Sequence, residues 1–547
     1  MAEGREAESS LLADVISLFE RPSTAQHRLA RNHRVPNEAA PQLRLGKSAE
    51  AVLADIDAVD EGAFTQQNTK LPAPSSLLPP LVVDLDGTLV KTDLLLESLV
   101  SMLRQAPLSL FALPCWLLKG RAHLKREIAR RARLDVALLP YHCVLLEQLR
   151  VEHGKGRSIV LATASDERLA QQVADHLKLF DSVLASDGST NLSGERKRER
   201  LVSQFGERGF DYAANSSRDI AVWSSARTAT VVNSNPQLLR SAARVAEVQS
   251  VVEERRATLG EYLKALRPQH WLKNLLVFLP VFAARRFYEA PLMESAILAF
   301  AAFSCCASSG YLLNDLLDLS ADRHHPKKCL RPFASGQLPL SYALVMGPAL
   351  VVLGCVLAGL VSRLLVGAVL FYVMLTLAYS LYFKRVVVLD VIILASLYTL
   401  RIVAGAAAIE IWPSEWLLAF STFLFMSLAL VKRYDELIVM RSVDGDRARA
   451  RSYQVSDAEL LASTGTASGY CAVIVLALYI SSSAAQALYR RPEIMLFLCP
   501  LLLYWVGHIW LVAHRGRMLD DPLAFAMRDR TSRNLILLML GTALVAV

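Results

Sequence analysis

Eight cysteines in 547 residues, at positions 115, 143, 305, 306, 329, 355, 471 and 499, include no CxxC pair, and several fall inside apolar runs. That spacing gives neither a disulfide framework nor a zinc site, and the thiols read as buried or inert. The opening residues, MAEGREAESS, lack a basic start followed by an apolar core, so no cleavable signal peptide is expected. Uniformity is lacking too. The chain is 53% hydrophobic with a mean hydropathy of +0.32, high for a soluble protein. Near residue 265 a mixed, charge-rich sequence gives way to long apolar segments alternating with short charged loops. The net charge of +8 therefore points to membrane topology, not to nucleic acid, because the later Lys and Arg gather in loops.

Four regions follow. Residues 1–75 carry Ser, Ala, Asn and charges, run into the Pro-rich LPAPSSLLPP (71–80), and read as a flexible arm and linker without an assigned function. Residues 76–248 read as α/β. LVVDLDGTL, SIVLATAS (158–165) and TATVVNSN (228–235) are short apolar runs separated by helical stretches, which predicts a Rossmann-like parallel sheet covered on both faces. Chemistry in such sheets sits at the carboxyl ends of the strands, where Asp84, Asp86, Thr163 and Asn215 fall. Residues 249–265 form an expected linker. Residues 266–547 hold nine candidate spans at about 271–287, 292–313, 342–362, 364–383, 387–409, 414–431, 466–488, 493–513 and 533–547. Pro280 interrupts the first, and the last runs to the C-terminus.

Loop charges predict the orientation. With the N-terminal domain in the cytosol, the loops on its side hold seventeen Lys and Arg and the opposite loops only five. The positive-inside rule then favours an integral inner or plasma membrane protein with its N-terminus in and its C-terminus out.

DLDGTL at 84–89 offers two carboxylates two residues apart at a strand end, followed by Gly and Thr. One aspartate can attack phosphorus and a second can protonate the leaving group. Thr163 ends an apolar strand, Lys197 lies in SGERKRERL, and Asp219 lies in YAANSSRDIAVW. This ordered set resembles the haloacid dehalogenase (HAD) superfamily over roughly residues 80–245, with the insert before Thr163 as a helical cap. The resemblance implies Asp84 as nucleophile, Asp86 as general acid/base, Thr163 and Lys197 on the phosphoryl oxygens, and Asp84, Asp86 and Asp219 around Mg²⁺. Asn215 stands where that superfamily usually has an acid, so the metal site carries one negative charge fewer.

A second acid cluster closes an apolar run: YLLNDLLDLSADRHHPKKCLRP, residues 311–332. Asn314, Asp318 and Asp322 recur every four residues on one helical face with Asp315 beside them, and Asp390 follows in YSLYFKRVVVLD. Carboxylates this close need a cation, and an oxygen-only donor set points to Mg²⁺ bridging to phosphates. NDxxDxxxD on a polytopic helix resembles the UbiA prenyltransferase superfamily over about residues 260–547. LRPQHWLKN (266–274), DRHHPKKCLRPFASG (322–336), LYTLRIVAGA (397–406), LVKRYDEL (430–437) and DDPLAFAMRDR (520–530) are similar to its decaprenyl-phosphate phosphoribosyltransferase branch. That branch implies transfer of 5-phosphoribose from phosphoribosyl diphosphate (PRPP) to a polyprenyl phosphate at the bilayer. Asp318 and Asp322 would then be catalytic, and Asn314, Asp315, Asp318, Asp322 and Asp390 would hold Mg²⁺. A sugar phosphate needs its own cations. Candidate cations are Lys273, Lys327, Lys328, Arg331, Lys384, Arg401, Lys432 and Arg433, with Asn274 as a neutral substrate-binding partner. Two alternatives stay open: transfer of a prenyl group from prenyl diphosphate to a small acceptor, and a membrane-anchored HAD phosphatase. The fusion suggests that the HAD-like domain dephosphorylates the product of the membrane domain.

Overall fold

The computed structural model describes residues 78–187, 189–233, 236–253, 257–325, 327–444, 449–450, 453–518 and 521–546. The arm expected at 1–75 lies outside them.

Six strands form one sheet: β1 (Leu81–Val83), β2 (Ile159–Asp166), β3 (Ser182–Ser186), β4 (Asp211–Ala214), β5 (Thr228–Val232) and β6 (Glu247–Val252). Their order is β3-β2-β1-β4-β5-β6 and every pairing is parallel. The short apolar runs follow from burial on both faces. In β1, Leu81 and Val83 enter one apolar cluster while Val82 enters the other. Six helices accompany the sheet: α1 (Leu94–Gln105), α2 (Arg121–Arg131), α3 (Cys143–Gly154), α4 (Glu167–Leu177), α5 (Glu195–Phe205) and α6 (Pro236–Val245), of which α3 to α6 flank it. With the short turns between them, α1 and α2 make the cap inserted between β1 and β2. The strand order reverses between β1 and β4, which opens a crevice at their carboxyl ends. This is the expected Rossmann-like parallel sheet.

Two boundaries differ from expectation. Strand β6 carries the sheet past residue 248 to Val252. As an edge strand it buries only Val252, so EVQSVV shows no continuous apolar run. The expected linker also contains α7 (Leu259–Ala265), whose Ala265 is buried in an apolar cluster of the next domain.

The C-terminal half is helical: α8 (Ala290–Leu317), α9 (Leu319–His324), α10 (Leu340–Gly359), α11 (Arg363–Leu381), α12 (Leu389–Ile409), α13 (Glu415–Asp444), α14 (Ala458–Ile480), α15 (Leu498–His514), α16 (Pro522–Arg528) and α17 (Arg530–Ala546). Seven stretches among the described residues are long and apolar enough to cross a membrane, not nine. The first expected span is instead a tight helix with about three residues per turn, Pro268–Phe278, followed by a short turn, Leu279–Ala283. Pro280 lacks the N–H that a continuous α-helix needs there. The last expected span is α17, only 17 residues long.

Small residues let these helices approach closely. A Cβ on Gly405 of α12 would lie 2.0 Å from the Val277 carbonyl oxygen, and one on Gly465 of α14 would lie 2.1 Å from the Trp510 ring. The α/β domain sits on one end of the bundle through α1. Val100 shares an apolar cluster with Leu312, Leu316 and Phe333. Glu97 and Arg323, both buried or nearly so, pair at 2.6 Å, and Thr92 donates a second hydrogen bond to Glu97.

Gly405→Val should force the tight helix off α12 and cost about 1–3 kcal/mol, the usual range for overpacking. A thermal melt in detergent should show an earlier midpoint; an unchanged midpoint would contradict the close approach.

Candidate functional site

In the α/β domain the five expected side chains converge at the β1/β4 crevice. Asp84 leaves the end of β1, and its Oδ1 accepts from Lys197 Nζ of α5 at 2.7 Å. Lys197 also lies 3.7 Å from Asp219 and donates to the Tyr212 hydroxyl at 3.0 Å, while that hydroxyl donates to Asp219 at 2.8 Å. Asp86 accepts from the Leu94 amide at the start of α1 (2.8 Å), from the Ser165 hydroxyl (2.6 Å) and from Thr163 (3.4 Å). Gly87 adopts φ +71°, and a Cβ there would meet Asn215 Nδ2 at 2.2 Å. Asn215 therefore packs on the loop between the two aspartates.

Burial pushes Asp84 up to about 7, opposed by Lys197 and aided by the charges of Asp219 and Asp86. Without a metal, Asp84 becomes protonated as the pH falls through about 7, and a divalent cation would favour its carboxylate. Burial, with Asp93 nearby, also raises Asp86 against its hydrogen bonds from Ser165 and Leu94. A raised carboxyl suits a proton donor. Lys197 meets both Asp84 and Asp219, so a cation already occupies the space between two metal-ligand candidates. The donors are hard oxygens of the kind Mg²⁺ takes, but Asp84, Asp86 and Asp219 are not gathered closely enough to form a three-carboxylate group.

In the helical domain the acids lie at the bundle end that meets the α/β domain. Asp315 pairs with Arg267, and Arg331 Nη1 lies 3.4 Å from Asp315 and 2.5 Å from Asp322. One guanidinium thus bridges two carboxylates where a divalent ion would sit, so Asp315 and Asp322 fit a metal with hard oxygen donors. Asp318 turns to Lys384 at 2.7 Å. Asp390 joins a different network, accepting from Arg433 Nε at 2.5 Å and Tyr453 at 2.7 Å. Among the described residues no three His, Cys, Asp or Glu side chains are grouped to hold a metal. Asp318 and Asp390, expected beside Asp315 and Asp322, are therefore drawn off to their own cations.

A second locus lies around Asp521, the N-cap of α16, which sequence reasoning did not single out. Lys273 reaches it at 2.6 Å and Lys432 at 3.4 Å. Lys273 also stands over the Tyr398 ring. Between the two loci is His270, whose charged surroundings are Lys273, Arg267, Asp521 and Lys432. Its ring packs on Tyr311, and its buried Nδ1 has no hydrogen-bond partner. His270 and Lys273 lie three residues apart, so the three-residue turn of the tight helix puts them on one face, and Arg267 caps its start. A cleft of about 320 Å³ opens beside them, lined by Arg267, His270, Asp315, Lys327 and Arg331 among others.

The remaining candidates separate. Lys327 and Lys328 are exposed. Arg401 is buried with all three guanidinium nitrogens donating within the protein, to Asn274, Tyr372 and the Leu397 carbonyl. Asn274 is buried too, donating to Ser304 at 3.1 Å. Arg433 is held by Asp390, Glu436 and Tyr379. These three hold helices together. Sequence reasoning missed Tyr212, Ser165, Arg267, His270 and Asp521. Only Asp521 carried a local signal, an acid directly before Pro522 at a helix start.

The model of the UbiA prenyltransferase family matches residues 275–544. An uncharacterized protein, y4nM, of Sinorhizobium fredii is 35% identical over 459 residues, covering 83% of this chain and 88% of its own length. A match that long spans both domains. The nodulation protein NoeC of Azorhizobium caulinodans is 37% identical, covering 52% of this chain and 91% of its own length. The decaprenyl-phosphate phosphoribosyltransferase of Mycolicibacterium smegmatis is 31% identical, covering 52% and 92%. With a parallel α/β domain at its N-terminal side, the chain belongs to the UbiA prenyltransferase family and is a membrane transferase of that family.

Proposed function

We propose that the bundle transfers 5-phosphoribose from PRPP to a polyprenyl phosphate, and that the HAD-like domain then removes the 5-phosphate. The observation that carries this reading is the unpartnered Nδ1 of His270, set between two cationic loci. A prenyl diphosphate offers one anionic end and a hydrocarbon tail. PRPP offers two anionic ends on a polar ring, and so matches two loci with a polar group between them. The similarity to the phosphoribosyltransferase supports the same reading.

In this assignment Arg267 and Arg331 hold the diphosphate beside Asp315 and Asp322, and Lys273 and Lys432 hold the 5-phosphate. His270 Nδ1 faces the ribose between them. Mg²⁺ at Asp315 and Asp322, with Asn314 and Asp318 on the same helical segment, would supply Lewis acidity toward the leaving diphosphate. The bond from ribose C1 to the diphosphate oxygen breaks, and the electron pair leaves with diphosphate. An oxygen of the lipid phosphate forms the new bond to C1. That oxygen is already anionic, so no general base is needed. Arg267 and Arg331 would neutralise the departing charge in a site of low dielectric.

In the second reaction the Asp84 carboxylate attacks the 5-phosphorus, and Asp86 gives its proton to the departing ribose oxygen. Water then opens the acyl phosphate while Asp86 takes the proton back, and inorganic phosphate leaves. Lys197 holds phosphoryl oxygens, and Ser165 and the Leu94 amide fix Asp86. Loop charges support a cytosolic setting for both sites.

Purified protein in nanodiscs, given polyprenyl phosphate, should move label from ribose-labelled PRPP into lipid. It should move none from labelled prenyl diphosphate to an aromatic acceptor; the reverse result would overturn the reading. Asp315→Ala should reduce transfer by about a hundredfold or more, the scale for lost transition-state stabilisation. Asp84→Asn should leave that transfer intact and accumulate the 5-phosphorylated lipid; the same dephosphorylated product as wild type would remove the HAD-like domain from the scheme.

A further inference from the structure

The cap of the HAD-like domain contains a stretch without a single charged residue, Pro107–Leu118, PLSLFALPCWLL. It forms two short helical pieces that bury none of their residues. Leu108 is 79% exposed, Phe111 78% and Leu118 89%. A soluble domain rarely leaves such a patch to water. Twelve residues at 1.5–2.0 Å each reach about 18–24 Å, short of a bilayer's hydrocarbon core of about 30 Å. The segment therefore has the length and character of an interfacial anchor, not of a span.

Its flanks fix what covers it. Residues 119–133 carry seven Lys and Arg and one Glu, and six of the seven cations are exposed. An apolar segment joined to a basic helix matches a membrane surface, with hydrocarbon below and anionic headgroups above. Arg131 stands 4.5 Å over the Trp116 ring and ties the two parts together. The segment also starts in the right place. Helix α1, which leads into it, packs on the bundle end, and its last residues Arg104 and Gln105 share a cleft with Ser320, Arg323 and Arg385. Those bundle residues lie where the apolar helices end. The uncovered patch thus begins two residues beyond a helix end that meets the bundle where its apolar helices stop.

The same basic helix forms a wall of the phosphatase-like site. Lys125 of α2 turns inward and donates to the Ala164 carbonyl at 2.6 Å and to Asn191 at 3.0 Å. Ala164 lies between Thr163 and Ser165, which hold Asp86. We propose that Pro107–Leu118 inserts into the leaflet adjoining the HAD-like domain, with α2 on its anionic headgroups, so that this domain draws its phosphate ester from a lipid held in that leaflet. The insertion stands by itself; the choice of a lipid-linked phosphate rests on the phosphatase reading above.

Full-length protein in nanodiscs containing phosphatidylglycerol provides the test. With the six cysteines of the bundle replaced by alanine, a nitroxide is placed on Cys115 in a Cys143→Ser variant, and on Cys143 in a Cys115→Ser variant; both cysteines are exposed. Cys115 should relax strongly with oxygen and weakly with a water-soluble nickel complex, and Cys143 the opposite. Equal access of nickel to both would overturn the insertion. A triple variant, Leu108→Ser, Phe111→Ser and Leu118→Ser, should hydrolyse soluble p-nitrophenyl phosphate as wild type does. It should release phosphate from the lipid-linked product at least tenfold more slowly. Undiminished release from the lipid, or equal loss on both substrates, would overturn lipid capture by this segment. Wild-type protein inert on both substrates would overturn the phosphatase reading, while the label depths still decide the insertion.

Discussion

Carboxylates at the end of an apolar bundle do not coexist without cations, and this constraint organises the transferase half. Asp315, Asp318, Asp322, Asp390 and Asp521 are each met by a Lys or Arg from another part of the chain. Arg267 ties the tight helix to α8, Lys273 ties it to α16, and Arg433 ties α13 to α12. Taking such groups out of water is costly, and removing one partner of a buried pair typically costs about 3–5 kcal/mol. The pairs are therefore poor sources of net stability but strict about geometry. They also define where an anion can enter. A phosphate can take over the cations that meet Asp315, Asp322 and Asp521, whereas Arg401 and Arg433 are fully engaged by side chains and backbone.

The second half is fixed to the first by the same chemistry. Asp86 takes the first amide of α1, α1 carries Glu97, Glu97 pairs with Arg323 of α9, and α9 also carries Asp322. One helix and one buried ion pair thus separate the candidate general acid of the α/β domain from a candidate metal ligand of the bundle. Both sites belong to a single packed unit with its polar ends together. A product made at one and consumed at the other suits that arrangement, and the apolar segment after α1 would keep both at the same leaflet.

Much of this was legible in the sequence where the physics is local. The run LVVDLDGTL foretold a doubly covered strand ending in acids, because both faces of β1 are buried and its chemistry lies in the next three residues. Asn215 was recognised as a departure from the HAD pattern, and it does pack on the Asp84–Asp86 loop. Legibility failed where meaning comes from partners far along the chain. Asp390 looked like a member of the acid cluster because charge and position are visible in sequence, but Arg433 and Tyr453 are not. Arg401 looked like a ligand-binding cation inside a span, and the acceptors that engage it lie on three elements. The face shared by His270 and Lys273 is hidden in the sequence because its three-residue period departs from the 3.6 of an ordinary span. Pro280 was the warning. Strand β6 escaped because an edge strand need not be apolar.

The central claim is that two cationic loci flank His270 and that the second recognises a sugar phosphate. Equilibrium binding of PRPP and of its 5-dephospho analogue to the protein in nanodiscs tests it most directly. Wild type should bind PRPP at least tenfold more tightly. Lys273→Met, which leaves Lys432 to hold Asp521, should remove most of that preference while diphosphate binding persists. Equal affinity of wild type for the two ligands would contradict the account.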